Sequence, residues 1–106
     1  MAKVTWDKLA RQDLRDILAY GTQEWGKNTA RKMRLRIKAE VERLAKTPFI
    51  GKVEPLLEGR SLRFRSLVIH EHYKLVYHYD ETTDTLRIAA LWDTRREPHA
   101  QADNIQ

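Results

Sequence analysis

Between Arg60 and Arg96 the sequence reads RSLRFRSLVIHEHYKLVYHYDETTDTLRIAALWDTRR, and its cationic residues recur among apolar ones at a spacing of two. Side chains of an extended strand alternate between its faces. Leu62, Phe64 and Val68 are therefore expected to point one way, and Arg63 and Arg65 the other. In the next segment Tyr73, Leu75, Tyr77 and Tyr79 share one face, with Lys74, Val76 and His78 on its reverse. Pairing the two segments as a hairpin puts Arg63, Arg65, Lys74 and His78 on a common face, which makes that face the candidate site. A cationic surface of this kind suits an anionic partner such as a phosphate backbone or an acidic protein. An imidazole is a residue type suited to general acid or base work near neutral pH, which makes His78 a candidate proton carrier.

Those strands need a scaffold, and the rest of the chain supplies one. Lys3 to Trp6 alternates in the manner of a short strand. Asp7 then stands where a helix cap would be, before Ala10, Leu14, Ile17, Leu18, Gly21 and Trp25, an apolar stripe at intervals of three and four. Gly26 is the expected stop. A second helix is expected from Asn28, with Ala30, Met33, Ile37, Val41 and Leu44 on its buried side and Thr47 and Pro48 at its end. Phe49 to Gly59 reads as an irregular connection. Strands follow near 62–69, 73–79 and 86–92, and the tail after Pro98, HAQADNIQ, reads as polar and loosely held. The order β-α-α-β-β-β gives an α+β fold: an antiparallel sheet with a helical hairpin on one face and an open basic face on the other. Residues 1–98 form the expected single domain, and 99–106 the tail.

The totals narrow the function classes. With 106 residues and no cysteine, the chain fits one small domain without disulfide, thiol nucleophile or cysteine-bound zinc. No run resembles a signal peptide or approaches the roughly 20 apolar residues of a membrane helix, so a soluble cytoplasmic protein is expected. Formal net charge is +5, yet Lys27 to Lys46 alone carries eight Lys/Arg against two Glu. A solvated outer face is the ordinary explanation of such a helix; the functional one is a surface for phosphates or for an acidic partner.

Taken together, the opening KVTWDKLARQDLRDI, the basic helix ending in RLAKTP, the pair LRFRSLV and HYKLVYHYD, and the closing IAALWDTRREP resemble the RelE/ParE superfamily of type II toxin–antitoxin (plasmid stabilisation) toxins. The resemblance covers nearly the whole chain. It implies a small basic toxin neutralised by a cognate antitoxin, and one of two activities. RelE-like members cut messenger RNA on the ribosome; ParE-like members inhibit DNA gyrase without being enzymes. A non-toxic, antitoxin-binding domain is a third possibility.

The RelE-like activity is the expected one here, a metal-independent endoribonuclease without cofactor, in which a ribose 2′-hydroxyl attacks the adjacent phosphate. It needs a base, cations and an acid. Motif matching puts Arg65, Lys74 and Arg95, with His78, in the catalytic role, and Arg63, Arg87 and Arg96 in phosphate binding. Lys74 stands where an arginine usually sits, exchanging a planar bidentate donor for a point charge. The closing tyrosine usual in such nucleases is missing from this tail, which leaves His78 or His99 to carry the proton.

Overall fold

The computed structural model describes residues 1–105. Strand β1 (Lys3–Trp6) leads into helices α1 (Lys8–Trp25) and α2 (Lys27–Lys46), followed by β2 (Lys52–Val53), a 3-10 turn at Pro55–Leu57, β3 (Arg65–His70), β4 (Tyr73–Asp80), β5 (Thr85–Asp93) and α3 (Pro98–Asp103). The five strands form one sheet in the order β1-β5-β4-β3-β2. Strands β3 to β5 are antiparallel, as expected for segments joined by short turns, and β2, within the stretch read as irregular, pairs antiparallel with β3. The first strand departs from the antiparallel expectation: it adds beside the last in parallel, Val4 opposite Leu86 and Trp6 opposite Ile88. The two helices in between carry the chain across the sheet, so that it re-enters at the far edge.

The helical hairpin forms for the reason its sequence gives. Ala30, Met33, Ile37, Val41 and Leu44 of α2 are buried, together with Ala10 of α1, against Tyr73, Leu75, Tyr77, Leu86, Ile88 and Leu91 of the sheet. Gly26 separates the helices at φ +92°, a left-handed conformation in which other residues are strained. The caps differ from expectation. Asp7 sits at the α1 N-cap but its carboxylate stands beside the Arg87 guanidinium instead, at 3.2 Å, and α2 begins at Lys27, one residue before Asn28. Trp25, expected in the core, is 47% exposed. Its side chain leans back over Gly21 and lies edge-on to Tyr20 with centroids 5.5 Å apart, because long helical side chains tilt toward the N-terminus.

The opposite sheet face is only partly open. Phe64, Val76, Ala90 and Trp92 on it form a second core with Leu57 of the 3-10 turn and with Ala102 and Ile105 of the tail. Far from hanging loose, the tail makes α3. Glu97 accepts from the backbone N–H groups of His99 and Ala100, Pro98 occupies the first turn, and Arg60 donates to the carbonyls of Ala102 and Ile105 at 3.0 and 2.6 Å. Two apolar residues three apart are enough to seat a helix this short when an exposed Trp–Phe surface waits for them.

Candidate functional site

The common face expected for Arg63, Arg65, Lys74 and His78 does not form. In the β3–β4 ladder Arg65 lies opposite Tyr77, Ser66 opposite Val76, and Val68 opposite Lys74. Arg65 therefore stands on the helix side, where it donates to the Gly51 carbonyl at 2.8 Å and covers the Phe49 ring at 5.1 Å. Val68, expected inside, is 64% exposed on the Lys74 side, and Phe64 is buried there in the second core. The sequence holds the signal that decides this. Leu67 and Ile69 share the parity of Arg65, and burying them on the larger helix-side core fixes the strand's orientation.

Lys74 sits where β4 alternation puts it, facing away from the helices, but its charge is taken. Its Nζ lies 2.9 and 3.0 Å from the two carboxylate oxygens of Glu54, and 5.1 Å from the centroid of the Trp92 ring. Glu54 is 1% exposed and also accepts from the Ser66 hydroxyl at 2.6 Å. A carboxylate so deep in the protein requires a paired cation and hydrogen bonds to remain charged. The connection that carries Glu54 is pinned by Tyr77, whose hydroxyl donates to the Pro48 carbonyl at 2.7 Å and accepts from Gly51 N–H at 2.9 Å. A Cβ on Gly51 would come within 2.6 Å of that hydroxyl, so only glycine fits. Nothing in the irregular stretch Phe49 to Gly59 marked Glu54 as a buried partner; its place between Val53 and Pro55 follows from the two-residue strand β2 pairing with β3.

The remaining candidates divide between two ends of the sheet. Arg63, Arg65 and His78 do meet at the rim of a shallow cleft of about 480 Å³, reached from opposite faces, together with Phe49, Tyr79, Asp80 and Glu81. His78 Nδ1 lies 3.0 Å from the Arg63 carbonyl and its ring packs against Phe64. A carbonyl can only accept, so Nδ1 carries the proton of this contact. Arg87 covers Phe64 at 5.7 Å and stands 3.2 Å from Asp7, although its Nε is not aligned for a hydrogen bond.

At the other end, Arg95 closes on Asp93 with two guanidinium contacts of 3.1 Å and covers the Tyr73 ring at 5.9 Å. Burial acts to raise the Asp93 carboxyl, but hydrogen bonds from the Arg95 side chain and backbone outweigh it and hold the group below the usual range. Arg95 and Arg96 border a cavity of about 320 Å³ lined also by Asp13, Asp16, Tyr20 and Tyr73. Burial pushes the Asp13 carboxyl up, against the hydrogen bond it accepts from Leu91 N–H at 3.0 Å. Three carboxylates against two guanidiniums make this no phosphate cradle. His99 is exposed at the start of α3, and no cluster of metal-ligating side chains occurs among the described residues.

Residues 4–98 match the family model described as ParE toxin of type II toxin-antitoxin system, parDE. The chain belongs to the ParE toxin family. Solved structures agree on the fold. The chromosomal ParDE system of P. aeruginosa superposes with a TM-score of 0.69 at 18% identity, covering 88% of this chain and 96% of that one. The RelBE2 toxin–antitoxin complex of Mycobacterium tuberculosis gives 0.60 at 20% identity, covering 87% and 96%. Isolated E. coli RelE gives 0.59 at 14%, covering 97% and 95%. No curated protein matches by sequence. This ParE-family chain is thus a toxin of a type II toxin–antitoxin system, and no helix among its described residues is long and apolar enough to cross a membrane.

Proposed function

We propose that this ParE-family toxin acts by binding its target rather than by cutting RNA, and that the target is DNA gyrase, as in the ParE-like branch. The carrying observation is the Lys74–Glu54 pair. The lysine in the position of a catalytic arginine is neutralised by a buried carboxylate at 2.9 Å, which removes the cation that a cleavage site needs at the centre of the sheet. Arg95 is held by Asp93, Arg65 faces the helices, and the tail supplies no tyrosine. A non-enzymatic binder needs none of these groups free. An antitoxin partner fits the same reading, since the ParDE and RelBE2 structures are toxin–antitoxin systems.

Ribosome-dependent cleavage is the second reading, favoured by the meeting of Arg63, Arg65 and His78 at one cleft. The two separate cleanly. Purified toxin added to gyrase and relaxed plasmid should block supercoiling, while messages isolated after short induction without antitoxin keep intact 5′ ends. New ends in phase with codons, with supercoiling unaffected, would replace the binder by the nuclease. Normal growth on expression would leave only antitoxin binding.

A further inference from the structure

The charge that the sheet keeps occupied is free on α2. Along the sheet and its flanks Lys74, Arg87 and Arg95 each stand within 4 Å of a carboxylate, and Arg65 and Arg60 donate to carbonyls. On α2 only Arg43 has an acidic neighbour within that distance among the described residues, Glu40 at 3.3 Å. Its other cations are exposed and, among the described residues, have no carboxylate within 4 Å.

Their placement follows from the helical repeat. With the stripe of Ala30, Met33, Ile37, Val41 and Leu44 turned to the core, 100° per residue puts Arg31, Arg34 and Lys38 along one edge of α2 and Lys32, Arg36 and Arg43 along the other. The crest between the two rows carries Asn28, Leu35 and Ala39, with Leu35 59% exposed, and Glu42 and Lys46 at its C-terminal end. The helix is about 30 Å long, from 20 residues at about 1.5 Å each. A straight line of charge this long matches a regular polyanion better than a local acidic peptide. Two cationic edges flanking a crest that is uncharged from Asn28 to Ala39 match two phosphate strands flanking a groove. The B-form major groove, roughly 12 Å wide, admits a helix, whereas the A-form groove of double-stranded RNA is too narrow for side chains to reach.

From this arrangement we infer that the outer face of α2 is a docking surface for duplex DNA, held by phosphate contacts along both edges and without base-specific readout. Leu35 lies against the groove floor. The inference goes beyond the proposed target and stands on the helix alone. In a cell it would place the toxin on DNA, where a DNA-handling target is found.

The test is fluorescence anisotropy of the full-length toxin with a labelled 20-base-pair duplex across a salt series. Six phosphate contacts predict a slope of log affinity against log salt of about −5, from about −0.9 per contact. Arg31→Gln/Arg34→Gln/Lys38→Gln should shallow that slope by about 2.7, whereas Lys3→Gln/Lys8→Gln/Lys52→Gln, which removes the same charge elsewhere, should leave it unchanged. Glutamine keeps helix propensity, and circular dichroism checks that the fold persists. Three results would overturn the inference: no binding at 50 mM salt, equal losses in the two triple variants, or equally tight binding to double-stranded RNA or to poly-glutamate. A gyrase assay on the same α2 variant separates the two claims. Wild-type toxin that inhibits supercoiling without binding the duplex retires the DNA surface alone; duplex binding without inhibition retires the gyrase target alone.

Discussion

The sheet around Lys74 and the outer face of α2 carry similar cations to opposite ends. On the sheet Arg65, Lys74 and Arg87 each stand against a carboxylate or a carbonyl, and Glu54, Ser66 and Trp92 enclose the most central of them. On α2 the cations stand in water, and among the described residues only Arg43 has a carboxylate within 4 Å. The lesson is that the number and sequence position of basic residues do not measure available charge. Once a carboxylate is buried, the lysine beside it becomes part of the core, and the charge left for partners is the charge that no fold contact needs.

Several substitutions would break or sharpen that contrast. Glu54→Ala should do the most damage, about 3 kcal/mol or more in a denaturant titration, because it leaves Lys74 without its counter-charge and Ser66 without its acceptor. Replacing the pair together, Glu54→Leu with Lys74→Met, should recover most of that loss, since an apolar pair of similar volume often serves as well as a buried ion pair. A double variant as unstable as Glu54→Ala would show that the ion pair is not what holds the connection. Gly51→Ala comes next, at about 2 kcal/mol from overpacking against Tyr77, readable as a lowered melting temperature. By contrast the α2 variant Arg31→Gln/Arg34→Gln/Lys38→Gln should change stability by less than about 0.5 kcal/mol per site while weakening duplex binding and shallowing its salt dependence, as expected of surface charges that support no fold contact.

The smallest effects are in pH dependence and have opposite signs. Asp13 has a raised folded-state pKa, so it binds its proton more tightly folded than unfolded, and stability falls as pH rises from about 4 through the raised value. Asp13→Asn, which keeps an acceptor for Leu91 N–H, should remove that fall. Asp93 is depressed, so its contribution is present above the unfolded pKa of about 3.9 and is lost as pH drops through the folded value. Asp93→Asn should remove that loss at a cost below about 1 kcal/mol, because Arg95 is exposed and Asp93 half-buried, so solvent screens the pair. Melting curves between pH 3 and 7 measure both.

Much of the fold was legible because periodicity is enforced by burial. The helix stripes and the alternation of β4 were readable for that reason, with Tyr73, Leu75 and Tyr77 inside and Lys74 outside. The orientation of β3 was not, because Phe64 and Leu62 also look like core residues, and the deciding pair, Leu67 and Ile69, lies later in the strand. That single parity moved Arg65 to the other side of the sheet. The second core was hidden in a different way. Neither Glu54 in a Pro-flanked connection nor Ala102 and Ile105 in a polar tail is apolar or periodic enough to announce a long-range contact. The parallel pairing of β1 with β5 is equally non-local, set by the path of the hairpin rather than by either strand.

The most direct test of the account is a supercoiling titration in which gyrase meets the wild-type toxin and the Glu54→Leu/Lys74→Met variant side by side. If the toxin acts by binding and Lys74 is only a core cation, both proteins inhibit at the same concentration. Inhibition by neither, together with codon-phased cleavage of messages that the wild type causes and the folded double variant does not, would make Lys74 a catalytic residue and the protein a nuclease.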